Sequence, residues 1–180
     1  MRAFIAIDLP DNIKDELEKV SSSVAMSGHI QVKKEHMHIT LQFLGEITEE
    51  SAEKIKTAID SVKSGPIKIT ISGVSYFSPE KPRVVYASLT EGNEELKALY
   101  NKLDIALEKS GIKLRREPNY TPHVTLFRIK KTPASAQLTS LVSKYAKHRF
   151  GGFTAESIEL KRSILSRSGP EYTTLHESKI

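Results

Sequence analysis

Alternating apolar and polar positions mark the strands of this chain, and three- and four-residue apolar spacings mark its helices. Phe4-Ile5-Ala6-Ile7-Asp8-Leu9-Pro10 reads as a first strand stopped by proline. Asp11 or Asn12 is then placed to cap a helix running to about Val24, with Ile13, Leu17, Val20 and Val24 on its inner face. Ser27-Gly28 breaks that helix, and the alternation Ile30-Gln31-Val32-Lys33 leads into a strand pattern from His36 to Gly45 that carries histidines. Thr48 is placed to cap a second helix with Ala52, Ile55, Ile59 and Val62 inward, ending before Gly65-Pro66. Ile67, Ile69, Ile71 and Val74 predict a long strand bent at Gly73. Val84 to Leu89 predicts its partner across the turn Ser78-Pro79-Glu80-Lys81-Pro82-Arg83.

The second half repeats the first. Leu96, Leu99, Leu103 and Leu107 define a third helix up to Gly111, and Arg115 to Tyr120 is a polar approach to a second histidine strand. Pro133 opens a fourth helix to about Lys147, and Phe150-Gly151-Gly152-Phe153 separates it from a strand running from Ala155 to Ser166. Gly169-Pro170 turns into a last strand, Tyr172 to His176. Four helices and about eight strands in this order predict a duplicated strand-helix-strand unit. The expected fold is α+β and bilobal, with mostly antiparallel sheets, helices packed outside and a groove between the lobes. Residues 1–180 are expected to form a single domain of two pseudo-symmetric lobes whose terminal strands are free to interleave.

Composition narrows the function. The absence of cysteine removes disulfides, thiolate metal sites and cysteine nucleophiles. A net charge of +5 favours polyanionic ligands, while the absence of Trp argues against an extended base-stacking platform. Asp8 and Pro10 interrupt the apolar start too soon for a signal peptide, and no run approaches the roughly 20 apolar residues of a membrane span. A soluble cytoplasmic monomer is expected, with no membrane partner.

The two histidine strands share one pattern: His38-Ile39-Thr40-Leu41 and His123-Val124-Thr125-Leu126. A shuffled chain of this composition yields on the order of 0.02 copies of it, so two copies are hard to ascribe to chance. In a strand, residues i and i+2 share a face, so each copy offers an imidazole beside a hydroxyl, with aliphatic residues behind. Two imidazoles that titrate near neutral pH suit paired proton transfer around a phosphorus atom, one taking a proton from the attacking water and the other protonating the departing oxygen. Thr40 and Thr125 are placed to donate to nonbridging phosphate oxygens. Arg128 and Arg83 are candidates for the charge that grows in the transition state, although strict alternation gives Arg128 the parity of Val124 unless a bulge intervenes. His36 beside His38 lacks a nearby carboxylate or Cys to complete a metal site, so no metal and no cofactor are expected.

These residues resemble the 2H phosphoesterase superfamily, named for two His-aliphatic-Thr/Ser-aliphatic motifs. Within it they resemble the RNA 2′,3′-cyclic phosphodiesterase branch, also called the 2′-5′ RNA ligase family. The similarity covers His38 to Gly45, Pro122 to Arg128, the opening Phe4 to Pro10, Pro82-Arg83-Val84-Val85-Tyr86 and the terminal Gly169-Pro170-x-Tyr172. It implies cofactor-free hydrolysis of RNA 2′,3′-cyclic phosphate ends to 2′-phosphomonoesters, with reversible 2′-5′ RNA ligation as a second activity. By this resemblance His38 is the acid toward the ribose 3′ oxygen and His123 the base toward water. Phe127 departs from the small residue many relatives carry there, and is a candidate for narrowing the cleft or stacking a base. Arg83, Tyr120 and Tyr172 are further candidate contacts, with Lys33, Lys34, Lys113, Arg115 and Arg116 as a candidate funnel for the RNA backbone. The competing readings are a nonenzymatic RNA-end-binding protein and a phosphodiesterase of this kind acting on another nucleotide.

Overall fold

Pro10 closes strand β1 (Arg2–Asp8) and seats helix α1 (Asp11–Ser22) in the computed structural model, which describes residues 1–24, 28–114, 117, 119–130, 135–166 and 169–180. Its carbonyl accepts the N–H groups of Ile13 and Lys14 at 3.0 and 3.1 Å, so Pro10 takes the capping position expected of Asp11 or Asn12. The chain continues through β2 (His29–Gln31), a 3₁₀ turn at Lys34–His36, β3 (His38–Glu46) and α2 (Glu49–Ser61). The cap expected at Thr48 forms, its Oγ1 accepting the Ser51 N–H at 3.1 Å. Then follow β4 (Ile67–Tyr76), β5 (Val84–Glu91), α3 (Asn93–Lys109), β6 (Val124–Ile129) and α4 (Ser135–Tyr145). The chain finishes with β7 (Arg149–Ala155), β8 (Ser157–Ser166) and β9 (Gly169–Lys179). Ser27 and Pro133 lie outside the described residues.

All these strands join one antiparallel sheet in the order β7-β4-β5-β6-β3-β1-β8-β9, with β2 added beside β6. The α+β fold expected from the pattern is formed, and its two lobes are the two ends of this sheet. β4 and β8 sit across from the halves that precede them in sequence: β4 pairs with β5, and β8 with β1. Only Glu156 separates β7 from β8, although six strand spacings, roughly 30 Å, would divide them in a flat sheet. The sheet must therefore curl to bring the end of β7 beside the start of β8, while β7 and β9 stay its two edges among the described residues, giving a half-barrel.

The expected break at Phe150-Gly151-Gly152-Phe153 is instead part of β7, paired with β4. Glycine is used there for proximity rather than as a breaker. A Cβ on Gly151 would lie 2.8 Å from Cγ1 of Ile13, a fully buried side chain of α1. The predicted bend at Gly73 is present, with φ +82° and an irregular register between Ile71 and Val74. The core is continuous from Ile5, Ile13 and Leu17 through Ile39, Ile55 and Ile59 to Leu99, Leu103 and Leu160. Burial of these side chains holds the curled sheet against its helices.

Candidate active site

Among the described residues β3 and β6 meet at a single bridge, Ile39 opposite Val124, and both side chains are fully buried. His38 and His123 each stand one residue before this bridge. Because the strands are antiparallel, His38 comes beside Thr125 and Thr40 beside His123. Strand rise and spacing then put the two histidine Cα atoms about 8 Å apart.

A shared irregularity follows in each motif. The ladder pairs Ala6 with Thr40 and Ile5 with Gln42, passing over Leu41; it pairs Tyr86 with Thr125 and Val85 with Phe127, passing over Leu126. Each bulge turns two successive residues inward, Leu41 with Gln42 and Leu126 with Phe127, and returns the next one to the outer face. This is how Arg128 escapes the parity of Val124 and joins the face of His123 and Thr125. Phe43 takes the equivalent position in β3 and is 58% exposed.

Each imidazole is boxed by aromatic rings. His38 stacks on Phe4 at 4.8 Å and meets Tyr172 edge-on at 5.6 Å; its Nε2 lies 3.0 Å from Thr40 Oγ1. His123 stands edge-on to Phe77 at 4.9 Å and to Tyr86 at 5.2 Å, with its Nδ1–H donating to the Thr121 carbonyl at 2.7 Å. That bond leaves Nε2 of His123 with a free lone pair in the neutral ring. Burial pushes His38 down to about 4, against a hydrogen bond to the His36 backbone that works the other way, with Lys161 adding to the depression. Burial likewise lowers His123; the Thr121 carbonyl and Glu117 oppose this, and Arg128 adds to it.

The remaining candidates divide. Tyr172 lies at the site, packed between His36 at 4.6 Å and Phe4 at 5.0 Å, and the charges of Arg128 and Arg2 both reach its phenol. Phe127 does not face the cleft. It is wholly buried behind the bulge, where it meets His29 edge-on, so it neither narrows the groove nor stacks a base. Arg83 is held at the other end of β6, its guanidinium donating to the carbonyls of Ile129 and Lys130 at 3.3 and 2.8 Å. Tyr120 lines the cleft with Thr40, Phe43 and His123, while its ring stacks on Tyr100 at 4.3 Å and its hydroxyl donates to the Thr40 carbonyl at 3.0 Å. It satisfies β3 where the ladder to β6 stops. Lys34 of the candidate funnel is paired with Asp15, and Arg115 and Arg116 lie outside the described residues.

Phe4, Phe43, Tyr86 and Lys161 belong to this face and were not among the sequence candidates. The recurrence of an outward residue five positions after each motif histidine, Phe43 and Arg128, is the signal that would have found Phe43.

The whole arrangement, from two bulged His-x-Thr strands to the curled sheet, is the architecture of a two-histidine phosphoesterase. The chain belongs to the 2H phosphoesterase family, matching the model of the AKAP7 2′5′ RNA ligase-like domain over residues 3–180. It is 36% identical over 177 residues to the RNA 2′,3′-cyclic phosphodiesterase of Methanocaldococcus jannaschii, covering 98% of this chain and 99% of that one. To the protein of the same name from Archaeoglobus fulgidus it is 35% identical over 177 residues, covering 97% and 98%. Among solved structures, TT0787 of Thermus thermophilus superposes with a TM-score of 0.82 at 26% identity, covering 99% of this chain and 97% of that one.

Proposed function

We propose that the protein hydrolyses the 2′,3′-cyclic phosphate at an RNA end to a 2′-phosphomonoester, with His38 and His123 as the acid–base pair. The observation that carries this reading is the repetition of one local structure, imidazole, hydroxyl and bulge, on both sides of the Ile39–Val124 bridge. Curated relatives with this activity in their names, similar over nearly the whole chain, support it.

Water attacks phosphorus as one imidazole takes its proton. The bond from phosphorus to the 3′ oxygen breaks, and the other imidazole protonates that oxygen. Thr40 and Thr125 donate to the nonbridging oxygens, while Arg128 balances the added negative charge. Burial depresses both imidazoles, which are therefore neutral at pH 7; a bound phosphate anion favours the protonated form and thereby supplies the acid. The order implied by the resemblance, His38 as acid and His123 as base, requires the phosphate to lift His38 from about 4 toward neutrality. No cofactor takes part. With an RNA 5′-hydroxyl in place of water as the attacking group, the same steps break the bond to the 3′ oxygen and form a 2′-5′ bond; their reversal cleaves that bond and restores the cyclic phosphate.

The test is incubation with chelator and a short RNA ending in 2′,3′-cyclic phosphate, with and without a second RNA bearing a 5′-hydroxyl. Phosphate position and linkage are then read in the products. A 2′-phosphate product is expected, and His38→Ala and His123→Ala each lower the rate by about 100-fold or more. Undiminished turnover in both variants removes the mechanism, and tight RNA binding without turnover by the intact protein identifies an RNA-end-binding protein instead.

A further inference from the structure

Past the Ile39–Val124 bridge no further pairing joins β3 to β6 among the described residues, and a small cavity lies where the two part. Its volume is about 20 Å³, and its walls include Thr40, Gln42 and Phe43 of β3 together with Tyr100, Tyr120 and His123. His38, Thr125 and Arg128 are not in its lining, so the cavity belongs to the His123 side of the site. In-line displacement gives that side a meaning. With His123 as base and His38 as acid, the bond that forms and the bond that breaks lie on opposite sides of phosphorus, and the attacking oxygen arrives beside His123.

Size and chemistry both suit this cavity to water. One water molecule needs roughly 10–15 Å³ of such space and two to four polar partners, whereas sites for small organic molecules begin at roughly 300 Å³. The polar groups in the walls are the Gln42 amide, the Tyr100 and Tyr120 hydroxyls and the His123 imidazole. Gln42 is 2% exposed, and among the described residues its amide makes one hydrogen bond, to Asp104 Oδ1 at 3.5 Å. That bond is at the limit of useful length, so the amide has capacity left for a water.

The walls are also tied to one another. The Tyr120 ring stacks on Tyr100, the Tyr120 hydroxyl donates to the Thr40 carbonyl, and the Tyr100 hydroxyl accepts the Glu117 N–H at 3.0 Å. Widening the cavity breaks several of these contacts together. A hydroxyl that brings a ribose with it therefore meets a barrier that water does not.

We infer that this cavity seats the attacking group, and that Tyr120 and Phe43, which bound it, select water over the 5′-hydroxyl of a second RNA. The inference rests on the proposed hydrolysis with His123 as base, and it makes joining the minor fate of the cyclic phosphate. In the favoured step the water oxygen bonds to phosphorus and its proton passes to His123, while the bond to the 3′ oxygen breaks and His38 protonates that oxygen. An alcohol reacting in the same place leaves a diester. The test sets water against glycerol, a primary alcohol standing in for the ribose 5′ end, as attackers of an RNA 2′,3′-cyclic phosphate. Initial yields of glyceryl diester and phosphomonoester are measured with the protein and, for the intrinsic preference, in imidazole buffer alone. The intact protein gives a diester share about tenfold or more below that of imidazole. Phe43→Ala, at an exposed position, and Tyr120→Ala each raise the share about tenfold, and a rise in either supports the inference. If circular dichroism shows Tyr120→Ala unfolded, Phe43→Ala decides alone. A share in the intact protein equal to that of imidazole, or one unchanged in every folded variant, overturns the inference and leaves the hydrolysis standing. No turnover of the cyclic end by the intact protein overturns both.

Discussion

Burial of His38 makes the stability of the protein depend on pH through one side chain. The ring is enclosed by Phe4 and Tyr172, and its protonation is held down to about 4 from an ordinary value of 6.5. The folded state therefore prefers the neutral imidazole. The associated stability is fully present above pH 6.5 and is lost as pH falls toward 4, because the unfolded chain takes up the proton first. A depression of this size corresponds to about 3 kcal/mol, of which about 2 kcal/mol is already lost by pH 5. Gln at position 38 keeps a polar group within reach of Thr40 but does not titrate. Urea unfolding followed by circular dichroism at pH 7.5, 6, 5 and 4 for wild type and His38→Gln isolates the effect, since His123 and the carboxylates contribute to both curves. The wild type loses about 2–3 kcal/mol more than the variant over this range. Parallel pH dependences would refute the claim that the ring is held neutral by its surroundings.

Two other perturbations probe the supports of the site. Tyr120→Phe removes the donor to the Thr40 carbonyl, and is expected to lower stability by about 1–2 kcal/mol in urea titration and to lower kcat more than it raises KM. Gly151→Ala forces a methyl group against Ile13 and is expected to destabilise by about 1–3 kcal/mol; with Ile13→Ala as the second change, the double variant loses less than the sum of the two singles.

The histidine strands were legible because their signal is local. A strand's two-residue period puts imidazole and hydroxyl together wherever the strand lies, and the aliphatic residues behind them announce which face is buried. The helices, the Thr48 cap and the Gly73 bend were legible for the same reason. The fate of Phe127 was not: one inserted residue at Leu126 exchanges the faces of everything after it, and a bulge is decided by the neighbouring strand. The bonds that Arg83 and Tyr120 make were not legible, because their partners are backbone carbonyls exposed by strand ends and no side-chain pattern reports those. The Gly151-Gly152 pair was read as a break because the close approach of α1, 138 residues earlier at Ile13, leaves no mark in the local sequence. The crossing of β4 and β8 between the halves is likewise a property of the assembled sheet.

The one-residue joint at Glu156 bears on how a ligand is admitted. A groove between two separate domains opens on a hinge, and binding must then meet the entropy of closing it. Here, among the described residues, the halves of the sheet join at the single Ile39–Val124 bridge and again through Glu156, two short connections that limit how far one half can swing against the other. The spacing of the two imidazoles is governed by that bridge, from which each stands one residue away. An aperture tethered at these two points suits a ligand slim enough to enter without parting its walls.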